Sequence, residues 1–176
     1  MTQEVFQELG AAFHEKYIGM AYAEAAKAAA DGEVPAGCVI VLVSDDGSVS
    51  RIVGKAHNMT ETLKDPTAHA EMLAITQASS AVGDWRLTDC ILYVTKEPCP
   101  MCGGAIVLAR IPYVVWSVDD PKRGAQTFFK IFEAPGINHH PQILTGVCRE
   151  ACLAQLQSFF QERRSESKAG RHEDPA

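Results

Sequence analysis

At 176 residues and 47% hydrophobic content the chain is long enough to bury one ordinary core, and no run reaches the roughly 18 apolar residues of a membrane span. A formal net charge of −6 argues against binding nucleic acid through overall positive charge, since phosphate affinity rests on Lys and Arg. The imbalance is uneven: residues 1–109 carry seven basic and fourteen acidic side chains and residues 110–176 nine and eight, so any RNA contact is expected from the C-terminal part.

Met1-Thr2-Gln3-Glu4 has neither the basic opening nor the apolar stretch of a secretory signal, so a cytoplasmic protein is expected. Six cysteines in that compartment should stay reduced rather than form a disulfide framework. Residues 1–12 are polar and read as a frayed end. Phe13, Tyr17, Met20, Ala21, Ala25 and Ala28 recur at helical spacing and predict a helix over 13–30, closed by Asp31-Gly32. Glu33-Val34-Pro35-Ala36-Gly37 is a turn into the sheet. Runs 38–43 and 48–56 flank Asp45-Asp46-Gly47 as a hairpin, and the first, apolar throughout, reads as a central strand covered on both faces.

A loop over 57–64 carries Asn58. The next helix is expected from Pro66, capped by Asp65 or Thr67, with Ala70, Leu73, Ala74, Ala78 and Ala81 as its buried stripe. A strand at 90–95 leads to a helix over 101–110 that is apolar nearly all round and must be packed on several sides, by the sheet and by a second subunit. Strand 113–118 follows, then an irregular section over 119–141 with a short helix at 128–132, and then 142–147. A last helix has Cys152, Leu153, Leu156, Phe159 and Phe160 on its inner side. This order of strands and helices implies an α/β sandwich. One domain over 1–164 is expected, with 165–176 a disordered tail.

Chemistry concentrates in two stretches, Asp65-Pro66-Thr67-Ala68-His69-Ala70-Glu71 and Glu97-Pro98-Cys99-Pro100-Met101-Cys102. One imidazole and two thiolates, from His69, Cys99 and Cys102, leave a tetrahedral Zn²⁺ its fourth position for water, as in a catalytic site. Glu71 is then the proton carrier, and H-x-E with P-C-x-x-C is the pattern of zinc-dependent nucleobase deaminases. The competing reading is a closed zinc knuckle with Glu71 as fourth ligand. His69 and Glu71 are two residues apart, so they reach one site only if it lies across the helix start. Cys38 and Cys90 read as buried hydrophobes. Cys148 and Cys152, at i and i+4 on a helix, have the spacing to ligate a second metal, a reading that the lack of a clustered histidine beside them disfavours.

On these pieces, with Glu33-Val34-Pro35-Ala36-Gly37, Asn58, Leu92-Tyr93-Val94-Thr95, Ala109-Arg110-Ile111, Asp120-Pro121-Lys122, Asn138-His139 and Phe159-Phe160, the chain resembles the cytidine-deaminase-like superfamily, and within it the bacterial tRNA-specific adenosine deaminases. The resemblance spans most of the chain. It implies a three-layer α/β/α sandwich with a mixed central sheet, and a zinc-dependent homodimer that converts adenosine to inosine at the wobble position of a tRNA anticodon loop. It also implies zinc on His69, Cys99 and Cys102, proton transfer by Glu71, and substrate contacts from Asn58, Asp120 and Asn138. As residues alone, Asn58 and Asn138 are loop asparagines and Asp120 a turn residue.

The chain departs from that pattern at three places, one being Pro100 between the cysteines, which is common in free-base deaminases. Gln126-Thr127-Phe128 stands where a small Gly-Ser pair is usual, and Lys96 where an apolar residue is usual. The alternatives are a deaminase of a free base or nucleoside, such as guanine or cytosine, and a non-catalytic RNA-binding subunit, which the presence of Glu71 disfavours.

Overall fold

A computed structural model describes residues 2–169. Five strands form one mixed sheet in the order β2-β1-β3-β4-β5. They are β1 (Gly37–Val43), β2 (Ser50–His57), β3 (Cys90–Lys96), β4 (Tyr113–Val118) and β5 (Gln142–Thr145). The hairpin β1–β2 and the pair β1–β3 are antiparallel, whereas β3–β4 and β4–β5 are parallel. The parallel half needs crossover connections, and α5 (Pro100–Leu108) supplies the one between β3 and β4.

Each face of the sheet carries its own core. On one, α4 (Ala70–Val82) and α5 pack Ala70, Ala74, Ala78 and Ile106 against Cys38, Ile40, Leu92, Val94 and Trp116. On the other, α2 (Gly10–Ala30) and α6 (Arg149–Ala169) pack Tyr17, Ile18, Ala21, Cys152 and Leu156 against Val39, Val41, Ile91, Tyr93 and Val115. Alternate residues of β1 thus serve opposite cores, which is why that strand reads as an unbroken apolar run. The architecture is the expected three-layer α/β/α sandwich, and Cys38 and Cys90 are buried thiols within it.

The ends differ from the sequence expectation. Residues 3–8 form α1 (Gln3–Glu8) rather than a frayed end: the Thr2 hydroxyl accepts from the Val5 N–H, and the buried Phe6 ring stacks on Tyr113 at 4.3 Å. Phe6 in the core and the partly buried Leu9 packed against it dock the segment. At the other end α6 continues through Ala169, past the expected domain end at 164, because residues 165–169 contain neither Gly nor Pro and Arg163 pairs with Glu166 one turn on. The rest of the expected tail, 170–176, lies outside the described residues. Among the described residues no helix is long and apolar enough to cross a membrane.

Within the chain, the loop 57–64 contains a single helical turn, α3 (Thr60–Leu63). The short helix expected at 128–132 is a 3-10 turn at Ile131–Glu133. α4 starts at Ala70 instead of Pro66, since Asp65 accepts the Thr67 N–H (2.8 Å) and hydroxyl (2.7 Å) and holds that stretch as a turn.

Candidate metal and catalytic site

Two helix starts meet at the site. His69 is the N-cap of α4 and Cys99 the N-cap of α5, both with extended backbones (φ −72°, ψ 153° and φ −74°, ψ 173°). Because His69 stands outside the helix and Glu71 inside its first turn, the two side chains are freed from helical periodicity and can converge across the helix start. Pro100 occupies the first turn of α5, where its missing N–H costs nothing, and Cys102 follows one turn after Cys99. The N-terminal partial positive charge of α5 falls on its own N-cap thiol, Cys99, and on Cys102 in its first turn.

His69 Nδ1 lies 3.5 Å from Cys99 Sγ and 3.5 Å from Cys102 Sγ, and the two sulfurs are 3.6 Å apart. Tetrahedral zinc, at ~2.3 Å from sulfur and ~2.0 Å from nitrogen, would separate two sulfurs by about 3.8 Å and sulfur from nitrogen by about 3.5 Å. The triangle therefore fits such an ion. Among the described residues this is the group of three metal-ligating side chains close enough to share one. The neighbouring Cys102 thiol, opposed by burial and reinforced by His69, pulls Cys99 down to about 3, and the same sharing pushes Cys102 up. One thiolate is thus already favoured in the protein's own field, and a divalent cation would supply what the second needs.

Glu71 is 5% exposed, and burial raises its carboxyl above the usual 4.5. With His69 and Cys99 it lines a cavity of about 600 Å³, large enough for a nucleoside. Cys102 is fully buried beside it. A buried carboxyl beside His69 and Cys99, raised above its ordinary range, has the properties of a general acid/base.

Asn58 and Asp120 line the same cavity. Asn58 Nδ2 donates to Glu33 Oε2 (2.9 Å) and its Oδ1 accepts the Thr60 hydroxyl (3.1 Å). Asp120 Oδ1 accepts the N–H groups of Lys122 (3.1 Å) and Arg123 (3.0 Å), while Oδ2 pairs with Lys96 Nζ. Burial opposes its ionisation, but Lys96 and these N–H groups outweigh it and hold the carboxyl below its usual range. Asn138 is not brought to the cavity: it is exposed and accepts a hydrogen bond from Arg110.

Sequence reasoning missed Glu33 and Glu97 as parts of this site. Glu97 is buried and its carboxylate accepts the N–H of Asp120 (2.7 Å), Gln126 (3.0 Å) and Thr127 (2.6 Å), so it carries the loop after β4. An acidic residue directly before Pro98-Cys99 was the available signal. That loop ends in Phe128 and Phe129, 56% and 51% exposed, with rings edge to face at 4.9 Å. On α6, Phe159, Phe160 and Arg163 also line the cavity, and Arg163 donates to the Gly32 carbonyl (2.8 Å).

Residues 13–152 match the MafB19-like deaminase family. A tRNA-specific adenosine deaminase of Bacillus subtilis is 44% identical over 158 residues, covering 89% of this chain and 94% of that protein. Among solved structures, one from a study of A-to-I editing by tRNA:A34 deaminases superposes with a TM-score of 0.74 at 38% identity, over 80% of this chain and 98% of the other. A guanine deaminase of Bacillus subtilis superposes with a TM-score of 0.55 at 31% identity, over 86% and 94%. The mixed five-stranded sheet agrees with this kinship, and the chain belongs to the MafB19-like deaminase family, alongside the tRNA-specific adenosine deaminases.

Proposed function

We propose that the protein is the zinc-dependent hydrolase that converts adenosine to inosine, with release of ammonia, at the wobble position of a tRNA anticodon loop. The observation that carries this reading is the reach of the likeness: identity to a tRNA-specific adenosine deaminase extends over 89% of the chain, far beyond the ligand motif. His69, Cys99 and Cys102 hold zinc. When bound, zinc supplies a Lewis acid that makes water a nucleophile near neutral pH.

Glu71 moves the protons. It takes one from the attacking water and delivers it to ring N1; a second goes to the amino group, which leaves as ammonia while the water oxygen stays on carbon 6. Its buried position excludes competing solvent from that transfer. Asn58 binds the base edge, whereas Asp120, with both oxygens engaged, acts by shaping the cavity wall. An anticodon loop is single-stranded, so turning its adenosine into the cavity costs little stacking.

The same reading makes the protein a cytoplasmic homodimer with α5 at the subunit contact. Leu108, at the end of that apolar helix, is 72% exposed in the single chain. Light scattering at micromolar concentration tests this, and a 19.1 kDa species alone would refute it.

Inosine formation in an anticodon stem-loop, compared with ammonia release from guanine, cytosine and free adenosine, tests the substrate. Turnover of the stem-loop that falls steeply with salt is the expected result. Rapid, salt-insensitive deamination of a free base with an inert stem-loop would instead make the chain a free-base deaminase.

A further inference from the structure

Glu33 lies at the turn between α2 and β1, 25 residues before Asn58 in sequence. It is 1% exposed, yet nothing in the proton transfer uses it. Its Oε1 accepts the Thr62 N–H at 2.7 Å and its Oε2 the Asn58 amide at 2.9 Å. Burial opposes its ionisation, but the N–H groups of Thr62 and Glu61, the Thr62 hydroxyl and Asn58 outweigh it and hold the carboxyl below its usual range.

An ionised carboxylate only accepts hydrogen bonds. Whatever faces Glu33 must therefore donate, so the Asn58 amide can present only its nitrogen to that side. The Thr60 hydroxyl, which can donate or accept, donates to Oδ1 in this orientation, and the backbone N–H of Asn58 is tied to the Ala36 carbonyl at 2.9 Å. Among the described residues Glu33 is the acceptor of Asn58 Nδ2, and Asn58 lines the cavity, where its second amide proton can serve a ligand. Were the amide turned over, the cavity would meet a carbonyl oxygen instead, and the site would select donors rather than acceptors.

From this geometry we infer that Glu33 is the positioning residue for base recognition: it fixes Asn58 as a hydrogen-bond donor and so selects a target base that presents an acceptor, the ring nitrogen N7 of a purine, on the edge away from N1. The inference rests on the adenosine reading above and deepens it. Adenine offers its N1 side to Glu71, which leaves N7 as the ring acceptor on the five-membered side. A pyrimidine has no such atom. Glu33 touches no substrate in this scheme and acts through Asn58.

The test pairs enzyme variants with substrate variants. An anticodon stem-loop is prepared with adenosine or with 7-deazaadenosine at the target position, which removes the N7 acceptor and leaves the reacting edge intact. The wild type should lose about tenfold in kcat/KM on the deaza substrate, the scale of one hydrogen bond. Glu33→Gln should lose a similar factor on adenosine, because its amide can accept from Asn58 only by turning a donor toward the Thr62 N–H. It should then be nearly indifferent to the deaza change, with metal content and far-ultraviolet dichroism unchanged. Glu33→Asp keeps the anion one methylene back and should regain part of the discrimination.

Equal losses by Glu33→Gln on both substrates would make Glu33 a structural support of α3 and overturn the inference. A wild type indifferent to N7 would overturn it as well. If Glu33→Gln does not fold, Glu33→Ala decides: undiminished discrimination there, alongside discrimination lost in Asn58→Ala, overturns the role. A wild type that does not turn over the adenosine stem-loop at all removes the adenosine reading itself, a result distinct from the others.

Discussion

Glu97 and Gly124 are packed so closely that a Cβ on Gly124 would stand 2.3 Å from the Glu97 carboxyl carbon. The carboxylate cannot retreat, because three backbone N–H groups of the loop hold it. Gly124→Ala should therefore lower stability by about 1–3 kcal/mol and reduce turnover by displacing Asp120 and its loop. Thermal unfolding together with kcat/KM checks both, and a variant with wild-type values would show that the loop yields without cost.

Replacing Cys99 or Cys102 by Ser should strip the metal, since two protein ligands remain and an alcohol is a poor substitute for a thiolate. Metal analysis of the purified variants is the measurement. Stoichiometric zinc in Cys99→Ser would remove that ligand from the set.

Glu71→Gln separates chemistry from metal binding. The amide keeps shape and burial but carries no proton, so zinc and fold should survive while kcat falls by about 10²–10⁴. Single-turnover assays at saturating stem-loop read the chemical step. Near-normal turnover would assign the proton to another group.

Lys96 stands directly before Glu97-Pro98-Cys99, and its ammonium pairs with Asp120 in the cavity lining. An ammonium has three donors, of which this pair uses one. Lys96→Leu should leave the metal in place and weaken stem-loop binding, with the slope of log affinity against log salt shallower by about one, as expected for one lost phosphate contact. An unchanged slope would confine Lys96 to holding Asp120.

Glu24 is buried on α2 between Lys27 (2.7 Å), Lys55 (3.4 Å) and His57 Nδ1 (3.2 Å). Burial opposes its charge, but these partners prevail and depress its carboxyl below 4.5. A depressed acid adds stability above its unfolded value and loses it as pH falls through the folded one. Denaturant midpoints measured from about pH 6 down to about pH 3 should fall in the wild type and fall less in Glu24→Gln. Parallel curves for the two proteins would remove Glu24 from the acid response.

The cluster of His69, Cys99 and Cys102, with Glu71 beside it, was legible because it is written in short spacings, H-x-E and P-C-x-x-C. The strands were legible for a similar reason: β4 is an apolar run with clear ends, and its expected and observed limits coincide at Tyr113–Val118. The start of α4 was not, because Pro66 suits a first helical turn as well as it suits the turn that Asp65 closes. Glu33 and Glu97 escaped for a deeper reason. Their partners lie 23 to 30 residues away, and a carboxylate that organises distant backbone looks in sequence like any other acid. Asn138 shows the converse, a loop asparagine matched by resemblance that the chain turns toward Arg110.

The ligand triangle draws on residues 30 and 33 positions apart, with the whole of β3 between them. β3 pairs with β1 on one side and β4 on the other. No continuous fragment of the chain can bring the three ligand atoms together until that strand is seated in the middle of the sheet. Metal uptake during refolding should accordingly lag behind early helix formation and keep pace with closure of the central strands.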